Sequence, residues 1–124
     1  MIPDQWYAIL ETREIKAGHL VGITRLGEKM VVWRDSRGQV SCQADFCPHR
    51  GCAFSVGKLA NDHLQCPFHG FEYDSTGKCV LIPANGKAAP VPKELQVKTY
   101  LVRVAYDFIW IWWVDPRYAY PDLP

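Results

Sequence analysis

The sequence predicts an all-β fold built from antiparallel strands. Short segments rich in Val, Ile and Trp alternate with turn residues, at spacings that suit a meander rather than helices joined by long crossovers. Near the carboxyl end, residues 108–114 form a continuous apolar run. Its seven residues are far fewer than the roughly 20 that a membrane-spanning helix needs. This run is therefore predicted to be a strand of the protein core.

The remaining elements follow one another as short strands separated by turns. The strands are predicted at residues 19–26, 30–34, 40–44, 79–82, 97–104 and 108–114. The turns are predicted at Gly27 and at residues 36–38, 74–77 and 105–107, the last of which joins the two final strands as a pair. A short helix in residues 4–17 is left undecided because Gly18 follows closely. Two prolines place residues 85–92 in a loop.

Composition indicates one globular domain without a charged binding surface. The 124 residues carry a formal net charge of +1, with 48% hydrophobic and 22% charged residues, close to the average for soluble domains. No run of Lys or Arg forms a basic stripe, which removes the electrostatic basis for binding nucleic acid or an anionic membrane. The first residues show no basic segment followed by an apolar stretch, so no secretory signal is predicted and a cytoplasmic location is expected.

The domain is expected to span residues 1–114, with its metal-binding part at about residues 45–84. Residues 115–124 contain three prolines and no periodicity, which is the composition of a linker or an extended arm. The five cysteines are an odd number, and a reducing cell interior disfavours a complete disulfide framework. Metal binding is therefore the better interpretation of the cysteines.

Four potential metal ligands lie in two short motifs. Cys47 and His49 form a C-x-H motif, and after sixteen further residues Cys66 and His69 form a C-x-x-H motif. A Rieske-type [2Fe–2S] centre takes two thiolates on one iron and two imidazoles on the other. Two loops that each offer one thiolate and one imidazole can hold such a centre from both sides. A glycine shortly after each motif allows the backbone to approach the cluster and donate hydrogen bonds.

The two motifs resemble the Rieske family. Cys-Pro-His-Arg-Gly at residues 47–51 and Cys-Pro-Phe-His-Gly-Phe at residues 66–71 are most similar to the N-terminal Rieske domain of terminal oxygenases, which hydroxylate or demethylate organic substrates. The resemblance covers nearly the whole chain, including residues 5–7, 81–84 and 108–112. It implies a Rieske-type antiparallel β-sandwich with a smaller cluster-binding subdomain formed by two loops.

The resemblance also implies a function. One [2Fe–2S] cluster per chain would be bound by the four ligands of the two motifs and would relay one electron at a time. The expected donor is a reductase or a ferredoxin. The expected acceptor is an oxygenase catalytic domain, where mononuclear iron lies on two histidines and a carboxylate. Once the cluster ligands are assigned, only His19 and His63 remain, so no catalytic residue is predicted in this chain.

Two alternatives remain open. A free-standing Rieske ferredoxin would shuttle electrons between enzymes, but it would have no need of the proline-rich residues 115–124. A structural zinc domain is the other alternative, because two cysteines and two histidines also suit a tetrahedral zinc site. The single residue between Cys47 and His49 is a tight spacing for chelating one ion, which disfavours zinc.

The residues beside the ligands indicate a low potential for a Rieske centre. Respiratory Rieske proteins resemble this motif, but they usually have a cysteine where Phe68 stands, paired with the one matching Cys52, and a serine where Phe71 stands. Tyr73 matches the other hydroxyl donor of the family. Because the serine hydroxyl that would stabilise the reduced cluster is missing, a midpoint of about −150 mV is expected.

The other cysteines and histidines receive structural interpretations. Cys52 is predicted to be a buried thiol, with a disulfide to Cys79 as the alternative. Cys42 lies on a predicted strand and is expected in the core. No motif surrounds His19 or His63, so surface or capping roles are expected for both.

Charged and aromatic residues flank the two motifs. Arg50 and Glu72 are expected to be exposed charges that guide a redox partner, tune the cluster or form a solvated loop face. Phe68 and Phe71 lie on either side of the second histidine and are expected to shield the cluster from water.

Overall fold

The computed structural model describes residues 5–48, 52–67, 70–83 and 95–113. In chain order the strands are β1 (Gln5–Glu11), β2 (Leu20–Arg25), β3 (Glu28–Arg34), β4 (Val40–Ala44), β5 (Lys58–Ala60), β6 (His63–Gln65), β7 (Glu72–Tyr73), β8 (Cys79–Leu81), β9 (Thr99–Tyr100), β10 (Val102–Ala105) and β11 (Phe108–Trp113). Every pairing between these strands is antiparallel, which confirms the predicted fold class. Among the described residues, no helix is long and apolar enough to cross a membrane.

The strands form three small sheets. The first sheet has the order β1-β11-β10, the second β2-β3-β4-β9, and the third β5-β6-β7-β8. In the first sheet, β11 lies between the earliest strand of the chain and its own hairpin partner β10. This pairing joins segments that are far apart in sequence. It therefore brings both ends of the described chain into one sheet.

Strand β3 lies at the centre of the protein. Its residues Met30, Val31, Val32 and Trp33 are all almost completely buried. Successive side chains of a strand point to opposite faces of the sheet. Met30 and Val32 accordingly belong to one hydrophobic cluster, and Val31 and Trp33 belong to another. The second sheet is thus covered on both faces, which explains why residues 30–33 of β3 are all apolar.

One of these clusters, the sandwich core, lies between the first and second sheets. Its buried members are Ile9, Leu10, Ile15, Met30, Val32, Cys42, Tyr100, Ile109, Ile111 and Trp113. Along β11 the buried residues alternate with more exposed ones, as expected for a strand with one face on a core. Two sheets packed through such alternating side chains form a β-sandwich.

The other cluster, the cysteine core, lies between the second and third sheets. Its buried members are Val31, Trp33, Cys47, Phe54, Leu64, Cys66, Phe71, Tyr73, Cys79, Ile82 and Val97. The strands of the third sheet have only two or three residues each, fewer than the usual five or six, roughly. At the turn before β8, Gly77 has φ +88°, and a Cβ there would collide with the Val97 carbonyl oxygen.

A buried glutamine links the second sheet to the third. Gln43 of β4 accepts a hydrogen bond from the Trp33 indole N–H at 3.0 Å. Its amide N–H donates to the Asp74 carbonyl oxygen, in the turn after β7, at 2.9 Å. Because these bonds satisfy the buried amide at both ends, Gln43 fixes how the third sheet lies against β3 and β4.

Most of the predicted strands are confirmed. The predictions at residues 19–26, 30–34, 40–44, 79–82 and 108–114 correspond to β2, β3, β4, β8 and β11. The final hairpin turns at Tyr106 and Asp107, which both have positive φ, as a two-residue β-turn of this kind requires. The loop predicted at residues 85–92 and the linker predicted at 115–124 lie outside the described residues.

The structure differs from the predictions in three places. Residues 5–11 form β1, and only Thr12–Glu14 makes a 3-10 turn, because β11 supplies a partner strand. The strand predicted at 97–104 is divided at Leu101 into β9 and β10, which pair with different sheets. Strands β5 and β6 were not predicted. They meet at Asn61 and Asp62, both at positive φ, so their hairpin lacks the glycine that usually marks such a turn.

Candidate metal centre

Two of the four predicted ligands, Cys47 and Cys66, lie in the described part of the chain, and both are buried in the cysteine core. Cys47 follows β4 of the second sheet, and Cys66 directly follows β6 of the third sheet. His49 and His69 lie outside the described residues. The fold therefore brings the thiol halves of the two motifs into one core from two different sheets.

The two ligand loops close with the same backbone hydrogen bond. The Cys47 N–H donates to the Cys52 carbonyl oxygen at 2.9 Å, and the Cys66 N–H donates to the Phe71 carbonyl oxygen at 2.8 Å. In both loops the acceptor lies five residues after the cysteine. In the second loop Gly70 also donates to the Cys66 carbonyl oxygen at 3.0 Å and has φ +75°, which glycine adopts without steric cost.

A carboxylate anchors the first loop to the rest of the fold. Asp45 accepts the Ser55 N–H at 2.8 Å and the Ser55 hydroxyl at 2.5 Å. Ser55 lies in the 3-10 turn Phe54–Val56. It packs so closely on β2 that a Cβ at Gly22 would come within 2.6 Å of the Ser55 Cβ. This contact holds the turn against the second sheet and so helps to position the chain between the two ligand cysteines.

The Tyr73 hydroxyl lies beside the cysteine sulfurs. It is 3.7 Å from Cys47 Sγ and also interacts electrostatically with Cys66 and Cys79. Burial, and then its hydrogen bond to Cys47, raises the pKa of Tyr73 far above the ordinary value. The phenol therefore stays protonated and can donate a hydrogen bond to sulfur. The Phe54 ring packs edge-on against the Tyr73 ring, with centroids 5.4 Å apart, and restricts its orientation.

All five cysteines lie in the described ranges, and none forms a disulfide. Cys42 is buried in the sandwich core, as predicted, and burial raises the pKa of its thiol, which makes it inert. Cys52 is only half-buried, so the prediction of a buried thiol was wrong: it packs at the edge of the cysteine core. Its Sγ lies 3.2 Å from Cys66 Sγ, whereas Cys79 Sγ donates to the Leu81 carbonyl oxygen at 3.7 Å.

Glu72 is buried, with only 4% of its surface exposed, so the prediction of an exposed charge was wrong. It lies on β7, between β6 and β8, where neighbouring strands cover it. A buried carboxylate needs hydrogen-bond donors. Its oxygens lie 3.0 Å from His63 Nδ1 and 3.4 Å from Asn61 Nδ2.

His63 is therefore a partner of Glu72 that lies only partly at the surface, with 32% of its side chain exposed. His19 is exposed, as expected. The period-two alternation of His63, Leu64 and Gln65 was the signal that could have located His63. It was missed because a three-residue strand gives too short a pattern to recognise. Arg50 and Phe68 lie outside the described residues, whereas Phe71 is buried in the cysteine core.

The described donors fit an iron–sulfur centre. Thiolates are soft ligands that favour iron–sulfur clusters. Here two cysteines are buried in one core beside a protonated phenol, and each lies at the start of a loop closed by a backbone hydrogen bond. Within the described ranges, no group of three or more His, Cys, Asp or Glu side chains is arranged to hold a metal ion, and both predicted histidine ligands lie outside those ranges.

The fold and the donors define a small β-sandwich protein with two cysteine loops for a metal cluster. The family model of the Rieske [2Fe-2S] domain matches residues 5–101. The chain belongs to the Rieske [2Fe–2S] domain family, and its cofactor is a Rieske-type [2Fe–2S] cluster. Since such a cluster carries one electron at a time, the chain is an electron-transfer domain.

The similar proteins are considerably longer than this chain. "Oxidoreductase NdmD" of Pseudomonas putida is 38% identical over 108 residues, covering 86% of this chain and 18% of that protein. "Dicamba O-demethylase, oxygenase component" of Stenotrophomonas maltophilia is 38% identical over 120 residues, covering 97% of this chain and 34% of that protein. The crystal structure of apo dicamba monooxygenase superposes with a TM-score of 0.84 at 37% identity, covering 100% of this chain and 38% of that one. This chain thus spans between about a fifth and two-fifths of the length of these proteins.

Proposed function

We propose that Cys47 and Cys66 bind one iron of the cluster and that His49 and His69 bind the other. The observation that carries this assignment is the burial of both cysteines in one core around the Tyr73 hydroxyl. Both loops also close with the same hydrogen bond, so they present their cysteines in the same way. Each histidine follows its cysteine within three residues, and the two imidazoles therefore come from the same two loops.

We propose further that this domain is the electron relay of a terminal oxygenase. The oxygenase component of dicamba O-demethylase matches nearly the whole of this chain, and this chain matches only about a third of it. The remaining two-thirds of such a protein has room for a separate catalytic domain. When bound, the cluster accepts one electron from a reductase or ferredoxin and passes it to that domain.

Exposed apolar side chains near the ligand loops support docking of a redox partner. Phe46 directly precedes Cys47 and is 59% exposed, and Val56 of the 3-10 turn is 75% exposed. An exposed apolar side chain beside a cluster loop offers a contact that a redox partner can cover. We also propose that the domain extends to residue 114, past the end of the family match, because β11 completes the first sheet.

The ligand assignment is tested with the purified full chain. Iron, acid-labile sulfide and zinc are assayed together, and the dithionite-reduced sample is examined by pulsed electron paramagnetic resonance. We expect about two irons and two sulfides per chain and couplings from two nitrogen nuclei. His69→Cys should remove one of the nitrogen couplings. One zinc per chain with no iron after anaerobic reconstitution would establish the structural zinc alternative and reject the relay.

The relay is tested by the rate at which a reduced ferredoxin bleaches the oxidised cluster in a stopped-flow instrument. Phe46→Ser should slow the bimolecular reaction several-fold without moving the midpoint potential, because it alters docking and leaves the ligands in place. Tyr106→Ser is the matched control, since Tyr106 is 88% exposed in the hairpin between β10 and β11. Equal rates in both variants would reject docking at Phe46.

A further inference from the structure

Cys52 is the cysteine that the proposed ligand set does not use and that solvent can reach. Its Sγ lies 3.2 Å from Cys66 Sγ, roughly 1.1 Å longer than a disulfide bond. Cys66 is 1% exposed and Cys52 is half-buried, whereas the other three cysteines are buried. One sulfur of the pair can therefore meet a small oxidant, and the other is the neighbour that can react next.

We propose that Cys52 and Cys66 form a reversible disulfide when the cluster-free chain meets a peroxide, and that this disulfide protects Cys66 until iron is loaded. This inference rests on the proposed role of Cys66 as a ligand. Thiols near a second cysteine commonly follow this route, because the first oxidation product condenses with the neighbouring thiol before further oxygen is added.

The chemistry requires a peroxide and two steps. In the first, Cys52 Sγ attacks a peroxide oxygen, the O–O bond breaks, and hydrogen peroxide becomes one water while the thiol becomes a sulfenic acid. In the second, Cys66 Sγ attacks the sulfenic sulfur, the S–O bond breaks, the S–S bond forms, and a second water leaves. Both thiols together lose two electrons and two protons, which reduce one hydrogen peroxide to two waters.

The fold favours this pair over a disulfide with Cys79 or Cys42. The Cys47 N–H donates to the Cys52 carbonyl oxygen, which holds Cys52 at the closed end of the first loop. The Cys66 N–H is fixed by the Phe71 carbonyl oxygen. Cys79 Sγ donates a hydrogen bond to the Leu81 carbonyl oxygen instead, and Cys42 lies in the sandwich core. The disulfide needs only a small approach of two sulfurs that already touch.

The disulfide would temporarily prevent the cluster from binding to Cys66. A sulfur in a disulfide has no thiolate to offer, and the thiolate is the form that binds iron. Oxidised Cys66 therefore cannot bind the cluster until a dithiol reductant restores it. Without Cys52, a sulfenic acid formed on Cys66 would have no Cys52 thiol to condense with, and a second peroxide would convert it to sulfinic acid, which dithiols do not reduce.

The first experiment maps the disulfide in the full chain. The cluster is removed with a chelator under reduction, the reductant is removed, and one equivalent of hydrogen peroxide is added before the remaining thiols are alkylated. Trypsin then separates the relevant cysteines, because Arg50, Lys58 and Lys78 place Cys52 on residues 51–58 and Cys66 on 59–78. We expect the link between these two peptides to dominate. Its absence, or equal links from Cys52 to Cys47 and Cys79, would overturn the proposal.

The second experiment measures recovery of the cluster. After peroxide and then dithiothreitol, the wild-type chain should regain its iron on reconstitution, whereas Cys52→Ser should regain several-fold less. Cys42→Ser is the matched control and should behave as wild type. Equal recovery in Cys52→Ser and wild type would overturn the protective role. The peptide map does not depend on iron, so failure of an untreated chain to take up a cluster would reject the proposed function while leaving the disulfide result intact.

Discussion

The sandwich core and the cysteine core share strand β3, yet they differ in the length of the strands that enclose them and in their buried residues. The sandwich core is enclosed by strands such as β1, β3 and β11, which have six or seven residues each, and its buried members include one thiol. The cysteine core is enclosed on one side by strands of two or three residues and contains three buried cysteines and a tyrosine hydroxyl. Burial of apolar side chains is the main source of stability expected for the sandwich core, whereas the proposed ligand set adds metal binding to the cysteine core.

This difference predicts that the two cores respond differently to loss of the cluster. Short sheets are marginally stable by themselves, and metal binding contributes directly to the folding of sites whose ligands it holds together. We therefore expect the sandwich core to keep its structure when the cluster is lost. When the cluster-free chain is denatured, the cysteine core should unfold before the sandwich core, because its two cysteine loops come from different sheets.

Removal of a thiol ligand should have the largest effect. Cys66→Ala should lower the iron content from about two per chain to none, since a cluster cannot be retained on three ligands of this set. Metal analysis and the visible absorption spectrum measure the loss. Cys42→Ala removes a buried thiol from the other core and should keep the iron while lowering the free energy of unfolding by about 1 kcal/mol. Equal loss of iron in both variants would contradict this difference between the cores.

Matched cavities in the two cores should have different consequences. Leu64 and Ile111 are both completely buried, one in each core. Each change to alanine should cost about 2–5 kcal/mol in free energy of unfolding. Leu64→Ala should also accelerate loss of iron to a chelator, whereas Ile111→Ala should not until the chain unfolds. Denaturant titration and chelator kinetics check this, and identical rates of iron loss would show that the cores are not separable.

The Tyr73 hydroxyl should tune the cluster without being needed for its assembly. Tyr73→Phe removes a hydrogen bond to a ligand sulfur, and because that bond stabilises the more negative reduced state, the midpoint should fall by about 60 mV, a tenfold change for one electron. Tyr100→Phe is the control, since the Tyr100 hydroxyl donates to Glu28 at 2.7 Å on the sandwich side. The midpoints are measured by spectroelectrochemical titration. An equal shift of the midpoint in both variants would contradict this role of Tyr73.

The smallest effect is expected where a surface contact joins the two regions. The Ser36 hydroxyl and then the Ser36 N–H lower the pKa of Asp62, at distances of 2.6 and 2.9 Å. A lowered pKa stabilises the fold above the unfolded value of 3.8, and this stabilisation is lost as pH falls through the folded value. Ser36→Ala should therefore raise the pKa of Asp62 and weaken the fold slightly near neutral pH.

Nuclear magnetic resonance titration of the Asp62 carboxyl measures the pKa directly. Ser36→Thr keeps a hydroxyl and should restore most of the shift. The free energies of unfolding of Ser36→Ala and wild type should become equal in strong acid, where Asp62 is protonated in both the folded and the unfolded chain. If the two free energies of unfolding still differed by the same amount in strong acid, the loss of stability in Ser36→Ala would come from a group other than Asp62.

Much of this protein could be predicted from residue order, because the relevant signals are local. The strands β2, β3, β4 and β11 were recognisable as apolar segments bounded by turn residues. The family and its cluster were recognisable because a C-x-H motif followed by a C-x-x-H motif suits a Rieske centre better than a zinc site. The family model matches residues 5–101, a range that includes both motifs.

Other features depended on contacts between distant segments. Strand β1 forms because β11 is there to pair with it, and the segment at 97–104 is divided because its two halves join different sheets. Glu72 is buried because β7 lies between two other strands and His63 supplies a donor. Cys52 meets Cys66 rather than Cys79 because two loops close side by side. Residue order specifies which groups are present, but pairing energies between remote strands decide which of them meet.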